Sequence, residues 1–278
     1  MKKIVDKKDT LLNYLIENID MPKNKIKEYL KHKSIYIDGT NTTQFDYPLE
    51  KGNVIYIDTK KKEKDRLPFP IIYEDNHIIV VDKPAGLLTV ATEKEKEHTL
   101  FHMVREYIKQ KARNTKIFVI HRLDKDTSGI VMFAKDEKTK RIFQDSWDTL
   151  AKLREYKAIV HGTPEEKEKT LINNLKENSI KLVYIAKEGK QAITKYKILK
   201  SNNNYSLLNI EIKTGRKNQI RVQLSAINHP ILGDTKYGKD KEKRLFLHAN
   251  KLMIFNPLLK KEQTFHSELP KIFKEKVK

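Results

Sequence analysis

His121-Arg122-Leu123-Asp124-Lys125-Asp126-Thr127-Ser128-Gly129 lies between two apolar runs, Ile117-Phe118-Val119-Ile120 and Ile130-Val131-Met132-Phe133-Ala134. Short apolar runs rich in β-branched and aromatic residues and bounded by turn formers read as buried strands. The nine residues between them are then a loop mounted on two core strands, a rigid place from which to aim a side chain. Asp124 stands there between Arg122 and Lys125. Nearby cations favour the ionised carboxylate, so Asp124 is a candidate nucleophile, base or metal ligand. In a lone turn, Asp124 or Asp126 would simply hydrogen-bond neighbouring amides.

Upstream, Ile71-Ile72-Tyr73 and Ile78-Ile79-Val80-Val81 flank Glu74-Asp75-Asn76-His77 as a hairpin. Asp82-Lys83-Pro84-Ala85-Gly86 then leaves the strand sharply, because Pro84 lacks a ladder donor and Gly86 frees the backbone to turn. Helical spacing follows at 98–111, with Leu100, Val104 and Ile108 four apart, and at 136–151, with Phe143, Trp147 and Leu150 on one face. The second stretch is expected as one helix, with Trp147 as core packing. A strand over 154–162 carries Tyr156. A helix after Gly215 puts Ile220, Leu224 and Ile227 on the core, with Arg221 at the edge of that stripe, where its guanidinium could grip a carboxylate through two parallel hydrogen bonds.

The first sixty residues read as a separate unit. Leu11, Tyr14 and Leu15 share a helical face after Asp9 or Thr10, and a second helix begins around Pro22 with Ile26, Tyr29 and Leu30 inward. Ile35-Tyr36-Ile37-Asp38-Gly39 and the run Val54-Ile55-Tyr56-Ile57 after Gly52 then suggest a small β hairpin. A charged run ending at Pro68 marks a linker, giving expected boundaries of 1–60, 61–68 and 69–278.

The 278 residues hold 57 Lys plus Arg against 37 Asp plus Glu, a formal charge of +20, which points to a polyanionic partner. With no cysteine, disulfides and thiolate zinc sites are excluded. No apolar stretch approaches about 18 residues and the first residues lack a signal-peptide core, so a cytoplasmic protein without a membrane association is expected.

The loop string resembles the His-Arg-Leu-Asp-x-x-Thr-Ser-Gly motif of the RluA-type pseudouridine synthases, in which the aspartate attacks the target uridine. Other strings resemble the same family in the same order: the Lys83-Pro84 segment, the strand with Tyr156, the 215–224 helix, Gly233-Asp234-Thr235-Lys236-Tyr237-Gly238 and 245–249. Together they span about residues 70 to 257. Asn218 and Gln223 stand where the family's helix motif has histidines. The first sixty residues resemble the S4 RNA-binding domain, with Lys23, Lys25, Lys27, Lys31 and Lys33 along a phosphate backbone.

The resemblance implies an α+β architecture. A small S4-like αα-plus-hairpin module would precede a pseudouridine synthase fold, with a mixed, largely antiparallel sheet and peripheral helices. It implies isomerisation of RNA uridines with no cofactor and no metal, on ribosomal RNA of the large subunit, with transfer RNA as the alternative, by a protein expected to be monomeric. Asp124 would be the nucleophile, Arg221 its ionic partner, and Tyr156 a stacking or proton-handling group. Substrate would further meet Arg122, which fills the gap left by the extruded base, as well as His121, Lys83 and Ile220, and Lys23, Lys27 and Lys31 in the first unit. Two other classes stand beside it. One is a metal-dependent hydrolase using His121, Asp124, Asp126 and Asp234, disfavoured because Arg122 and Lys125 would repel a cation. The other is an RNA-binding protein that keeps the fold without activity.

Overall fold

The computed structural model describes residues 1–31, 34–58, 67–111, 115–238, 240 and 242–278. The chain divides into two compact units, Met1–Arg66 and Leu67–Lys278. Lys33 and most of the linker expected over 61–68 fall outside the described residues.

The first unit runs β1 (Lys2–Ile4), β2 (Asp9–Thr10), α1 (Leu11–Asn18), α2 (Lys23–Lys31), β3 (Ile35–Ile37), β4 (Thr40–Asn41), β5 (Pro48–Leu49) and β6 (Val54–Ile57). Its sheet has the order β1-β6-β3-β4, all antiparallel, and β2 pairs β5. Asp38 and Gly39 both take positive φ, 48° and 85°, the conformation a two-residue hairpin turn requires. The two helices bury Leu11, Tyr14, Leu15, Ile26, Tyr29 and Leu30, the faces their spacing predicts, against Ile35, Ile37, Ile55 and Ile57. Beyond the expected hairpin, β1 also pairs with β6, and β2 and β5 form a further antiparallel pair.

The second unit continues with β7 (Ile71–Glu74), β8 (Ile78–Lys83), α3 (Leu100–Lys111), β9 (Phe118–Val119), β10 (Ser128–Ala134), α4 (Glu137–Asp145), α5 (Trp147–Leu150) and β11 (Ala151–His161). It ends with β12 (Glu168–Glu177), β13 (Val183–Ala186), β14 (Lys190–Ser201), β15 (Tyr205–Ile212), α6 (Gln219–Ala226), β16 (Leu247–Asn256), β17 (Lys261–His266) and α7 (Lys271–Lys276). One mixed sheet has the order β13-β12-β14-β15-β11-β16-β10-β8-β7, with β17 added to β16 and β9 to β10. Among the described residues, β10 with β16 is its one parallel pair, and the rest are antiparallel, so the fold is α+β with a mixed, largely antiparallel sheet.

The unbroken apolar runs of β8 and β10 have a physical reason, because both faces of these strands are covered. Ile79, Val81, Val131 and Phe133 pack on Leu100, Val104 and Ile108 of α3. Ile78, Val80, Ile130 and Met132 pack on Phe143 and Leu150. Each such side chain is worth roughly 1.5–3 kcal/mol in burial, which fixes the strand order around the Asp124 loop. The 136–151 stretch is two helices instead of the single one expected. Ser146 leaves helical geometry (φ −119°, ψ 20°), and α5 restarts from its carbonyl, which accepts from the amides of Thr149 and Leu150. Among the described residues no helix is long and apolar enough to cross a membrane.

Candidate active site

Three distant strings meet in one row across the sheet centre. Gly129 on β10 pairs with Ala249 on β16, which pairs with Tyr156 on β11. Gly129 has a φ of 112°, and a Cβ there would run into the Ala249 carbonyl, so only glycine lets the two strands approach this closely. On β11 the register slips between Glu155 and Tyr156, a bulge of the kind that re-aims a side chain.

Just before Gly129, the loop carrying Asp124 is pinned from behind. Thr89 Oγ1 donates to the Leu123 carbonyl at 2.7 Å, and the Gly86 amide donates to the Lys125 carbonyl at 3.0 Å. Lys83 is fully buried, and its Nζ donates to the carbonyls of Pro84, Leu87 and Lys125 at 3.0, 2.7 and 2.8 Å. Burial pulls its pKa down to about 7, against Asp126 and Asp124, which favour the charge. Three carbonyl acceptors match three N–H donors, so the ammonium is the form this cradle fits. The expected role of Lys83 in touching substrate is therefore corrected, because with every donor engaged and no exposed surface it holds the loop and does not line the cavity.

Asp124 faces a cavity of about 90 Å³, lined also by Arg122, Tyr156, Asn218, Ile220 and Arg221. This opens into a groove of about 700 Å³ that shares Arg122, Asp124 and Tyr156 and extends past His121, Trp147, Arg154 and Arg216. The Asp124 side chain is 32% exposed, and among the described residues no hydrogen bond reaches its carboxylate. Burial pushes its pKa up, opposed by the positive charges of Arg221, Lys236 and Lys83, while Asp126 adds to the rise.

Arg221 comes from a helix buried on every side between Gln219 and Leu224, not from a stripe edge. Its two parallel hydrogen bonds go to Asp234, from Nε at 2.8 Å and Nη2 at 2.7 Å, while Nη1 lies 3.9 Å from Asp124 Oδ2. Asp234 is fully buried and also accepts from the amides of Lys236 and Tyr237. Burial alone would raise its pKa, but the guanidinium and these amides hold it below the usual carboxylate range. Gln219 fixes the helix start, accepting from the Arg216 amide and the Thr214 hydroxyl and donating to β14. Asn218 takes a left-handed φ of 53° and donates to the Tyr237 hydroxyl. Gln223 donates to the Leu171 and Ala192 carbonyls and to Asn173, a packing role under β12 and β14.

Burial raises the Tyr156 phenol to about 12, so it stays protonated. His121 accepts from the Met132 amide through Nε2 and stacks on Trp147 at 4.7 Å and 17°. Burial, aided by Arg154, lowers its pKa to about 3, so the ring is neutral. Arg122 is exposed at the mouth of the cavity, and Ile220 is a buried part of its wall. The exposed Lys23, Lys27 and Lys31 belong to the first unit. The hydrolase reading is not supported. Among the described residues no group of three His, Asp or Glu could hold a metal ion, Asp234 is closed by Arg221, and His121 Nε2 is occupied.

Sequence reasoning passed over Asp234 as the guanidinium's main partner, although it stands in the Gly233–Gly238 string. It also passed over Arg154, buried beneath the groove, and the chain Arg244–Ser128–His248–Ser267, whose links of 2.9, 2.9 and 3.0 Å tie β10 to β16. A charged residue two positions before Tyr156 in a buried strand was the available signal for Arg154.

Residues 77–226 match the family model described as RNA pseudouridylate synthase. The chain is similar to a Rickettsia prowazekii protein named ribosomal large subunit pseudouridine synthase C, 32% identical over 84% of this chain and 79% of that one. It is also similar to a Bacillus subtilis protein named as an uncharacterized RNA pseudouridine synthase, 29% identical over 89% and 85%. In structure it resembles human RNA pseudouridylate synthase domain containing 4, with a TM-score of 0.62 and 23% identity over 73% of this chain and 89% of that one.

Proposed function

The chain belongs to the RNA pseudouridylate synthase family, and from that premise we propose that Asp124 is the nucleophile of a uridine isomerase acting on large-subunit ribosomal RNA. The observation that carries this is a carboxylate with free lone pairs at a small cavity, beside a neutral phenol and a fixed guanidinium. Isomerisation breaks the bond from the ribose to a base nitrogen and forms one to a base carbon. The carbon gives up a proton and the nitrogen site gains one, so nothing is oxidised. A carboxylate that adds and then leaves divides this into easier steps. Arg221 Nη1 orients Asp124 and favours its anion. Tyr156 stacks on uracil or passes a proton, and Ile220 walls the pocket. A base must leave its stack to enter, and Arg122 at the mouth fills the gap.

The test is conversion of uridine in ribosomal RNA by Asp124→Asn, which keeps the shape but removes the nucleophile. Turnover should vanish with RNA binding retained, and more than trace conversion would overturn the assignment. The choice of ribosomal RNA is supported by the name of the Rickettsia relative. Pseudouridine mapping in large-subunit RNA from cells lacking the gene tests it, and an unchanged map there would redirect the search to transfer RNA.

The first unit reads as an S4-like RNA-binding module, supported by its paired helices, its small sheet and the exposed Lys23, Lys27 and Lys31. Deleting it should weaken RNA binding and flatten the salt dependence by about 0.7–0.9 in log-log slope for each phosphate the protein no longer neutralises. Parallel lines of equal affinity across a salt series would rule that role out.

A further inference from the structure

Next to the cavity, the groove carries an aromatic face and a partly satisfied guanidinium that the isomerisation chemistry leaves unused. Trp147, the sole tryptophan of the chain, is half-buried on the groove wall, with its ring stacked on His121. His121 directly precedes Arg122 and lies three residues before Asp124. Arg154 lines the same stretch, two residues from Tyr156, and its side chain is only 8% exposed. Its Nη2 donates to the Lys213 carbonyl, but among the described residues its buried Nε has no partner. Its nearest carboxylate is Asp148, 3.5 Å from Nη1, on a side chain that is 72% exposed. Arg122, Arg216 and Lys217 add positive charge to the walls. An aromatic face beside a basic channel is how single-stranded nucleic acid is held, the base on the ring and the phosphate on the cation.

We infer that this stretch of groove is a second nucleotide subsite, in which a base flanking the target uridine stacks on Trp147 and the adjoining phosphate takes the Arg154 guanidinium in place of Asp148. The inference rests on the reading of the Asp124 cavity as the uridine site. The break at Ser146 has a function in this light, because restarting the helix there sets the indole against His121 at the groove. Burial, aided by Arg154, keeps the His121 imidazole uncharged, so the ring stacked on Trp147 is a flat, neutral support.

The experiment follows Trp147 emission in the full-length protein titrated with an eight-nucleotide oligouridylate, and with an eight-unit abasic ribose-phosphate oligomer carrying one central uridine. Quenching should occur with oligouridylate and be largely absent with the abasic oligomer. Unchanged emission on adding oligouridylate, or equal quenching by both, would overturn the stacking half. Trp147→Leu preserves apolar packing but removes the ring, so binding of labelled oligouridylate should weaken about five- to a hundredfold while binding of the abasic oligomer holds. Equal weakening of both would mean that Trp147 only packs. Arg154→Gln should lower the log-log salt slope for oligouridylate by about 0.7, the equivalent of one phosphate left unneutralised. If that buried change prevents folding, the exposed Asp148→Asn removes the competing carboxylate and should tighten binding about two- to fivefold. An unchanged slope in the first variant, or unchanged affinity in the second, would overturn the phosphate half. These readouts need no turnover, so failure of the Asp124 assignment appears in the conversion assay alone.

Discussion

The Asp124 loop and the Asp234 turn each present a carboxylate to the same guanidinium, and they treat it oppositely. Asp234 is sealed from solvent, takes two of the Arg221 hydrogen bonds and accepts two backbone amides, so both its oxygens are engaged and its pKa falls despite burial. Asp124 stands 3.9 Å from the remaining Nη1 and opens to the cavity, and burial raises its pKa. A carboxylate engaged at both oxygens is a poor nucleophile, whereas one with free lone pairs beside a fixed cation suits the part proposed for Asp124. Environment, not residue type, divides the two roles.

Cutting the shared pair has the largest expected effect. Arg221→Ala leaves Asp234 buried without its cation, and Asp234→Asn leaves Arg221 without its anion, so each should cost roughly 3–5 kcal/mol of stability. Denaturant unfolding measures this, and Asp124→Asn in the same assay should be close to wild type. Equal losses for Asp124→Asn and Asp234→Asn would erase the distinction. Arg221→Lys should rescue poorly, because an ammonium cannot reproduce the planar fork.

A smaller effect is expected at Lys83. Lys83→Met takes the ammonium donor from the Pro84 and Leu87 carbonyls, while the Lys125 carbonyl keeps the Gly86 amide, and a loss of about 1–3 kcal/mol for each group left buried and unsatisfied sets the scale. Because the loop it holds carries Asp124, conversion at saturating RNA should fall as well. Full activity in a destabilised Lys83→Met protein would show that the cradle does not position the nucleophile.

The smallest effect is a separation in pH. With its pKa raised, Asp124 takes up a proton as pH falls while still above the ordinary carboxylate range, so the acid limb of kcat/KM should lie there. Asp234 has the opposite sign. Its folded pKa is depressed, so between the ordinary carboxylate range and that lower value the unfolded chain binds more protons, and the stability it contributes, full above the ordinary range, is lost as pH falls to the folded value. Activity should therefore fail at a higher pH than the fold does. Coincident limbs in rate and thermal-unfolding profiles would contradict the division of roles.

Much of this architecture was legible because it is written in periodicity. The alternation that buries Ile79 and Val81 on one face and Ile78 and Val80 on the other, and the helix faces of Leu100 and Tyr14, follow from spacing alone. The two-residue and three-residue strands β1, β2 and β5 are too short to carry a pattern. The break at Ser146 was hidden because Phe143, Trp147 and Leu150 keep helical spacing across it. At the site, the sequence pointed to a loop carboxylate and a helix arginine. Which carboxylate the arginine grips depends on a turn thirteen residues further on, a tertiary fact. The same holds for Lys83, whose three acceptors come from both its own turn and the Asp124 loop.

The parallel pairing of β10 with β16 also bears on when the protein becomes an enzyme. Ser128 meets His248 and Gly129 meets Ala249 across 120 residues of chain, whereas β8, on the other side of β10, is a far nearer neighbour in sequence. Pairings of such separation close late, because the intervening chain must lose its freedom before they form. A chain still emerging from the ribosome can complete β7, β8 and α3 early, but it has no Asp124 site until β16 has emerged. Refolding should show the same order, with helical signal recovered before uridine conversion.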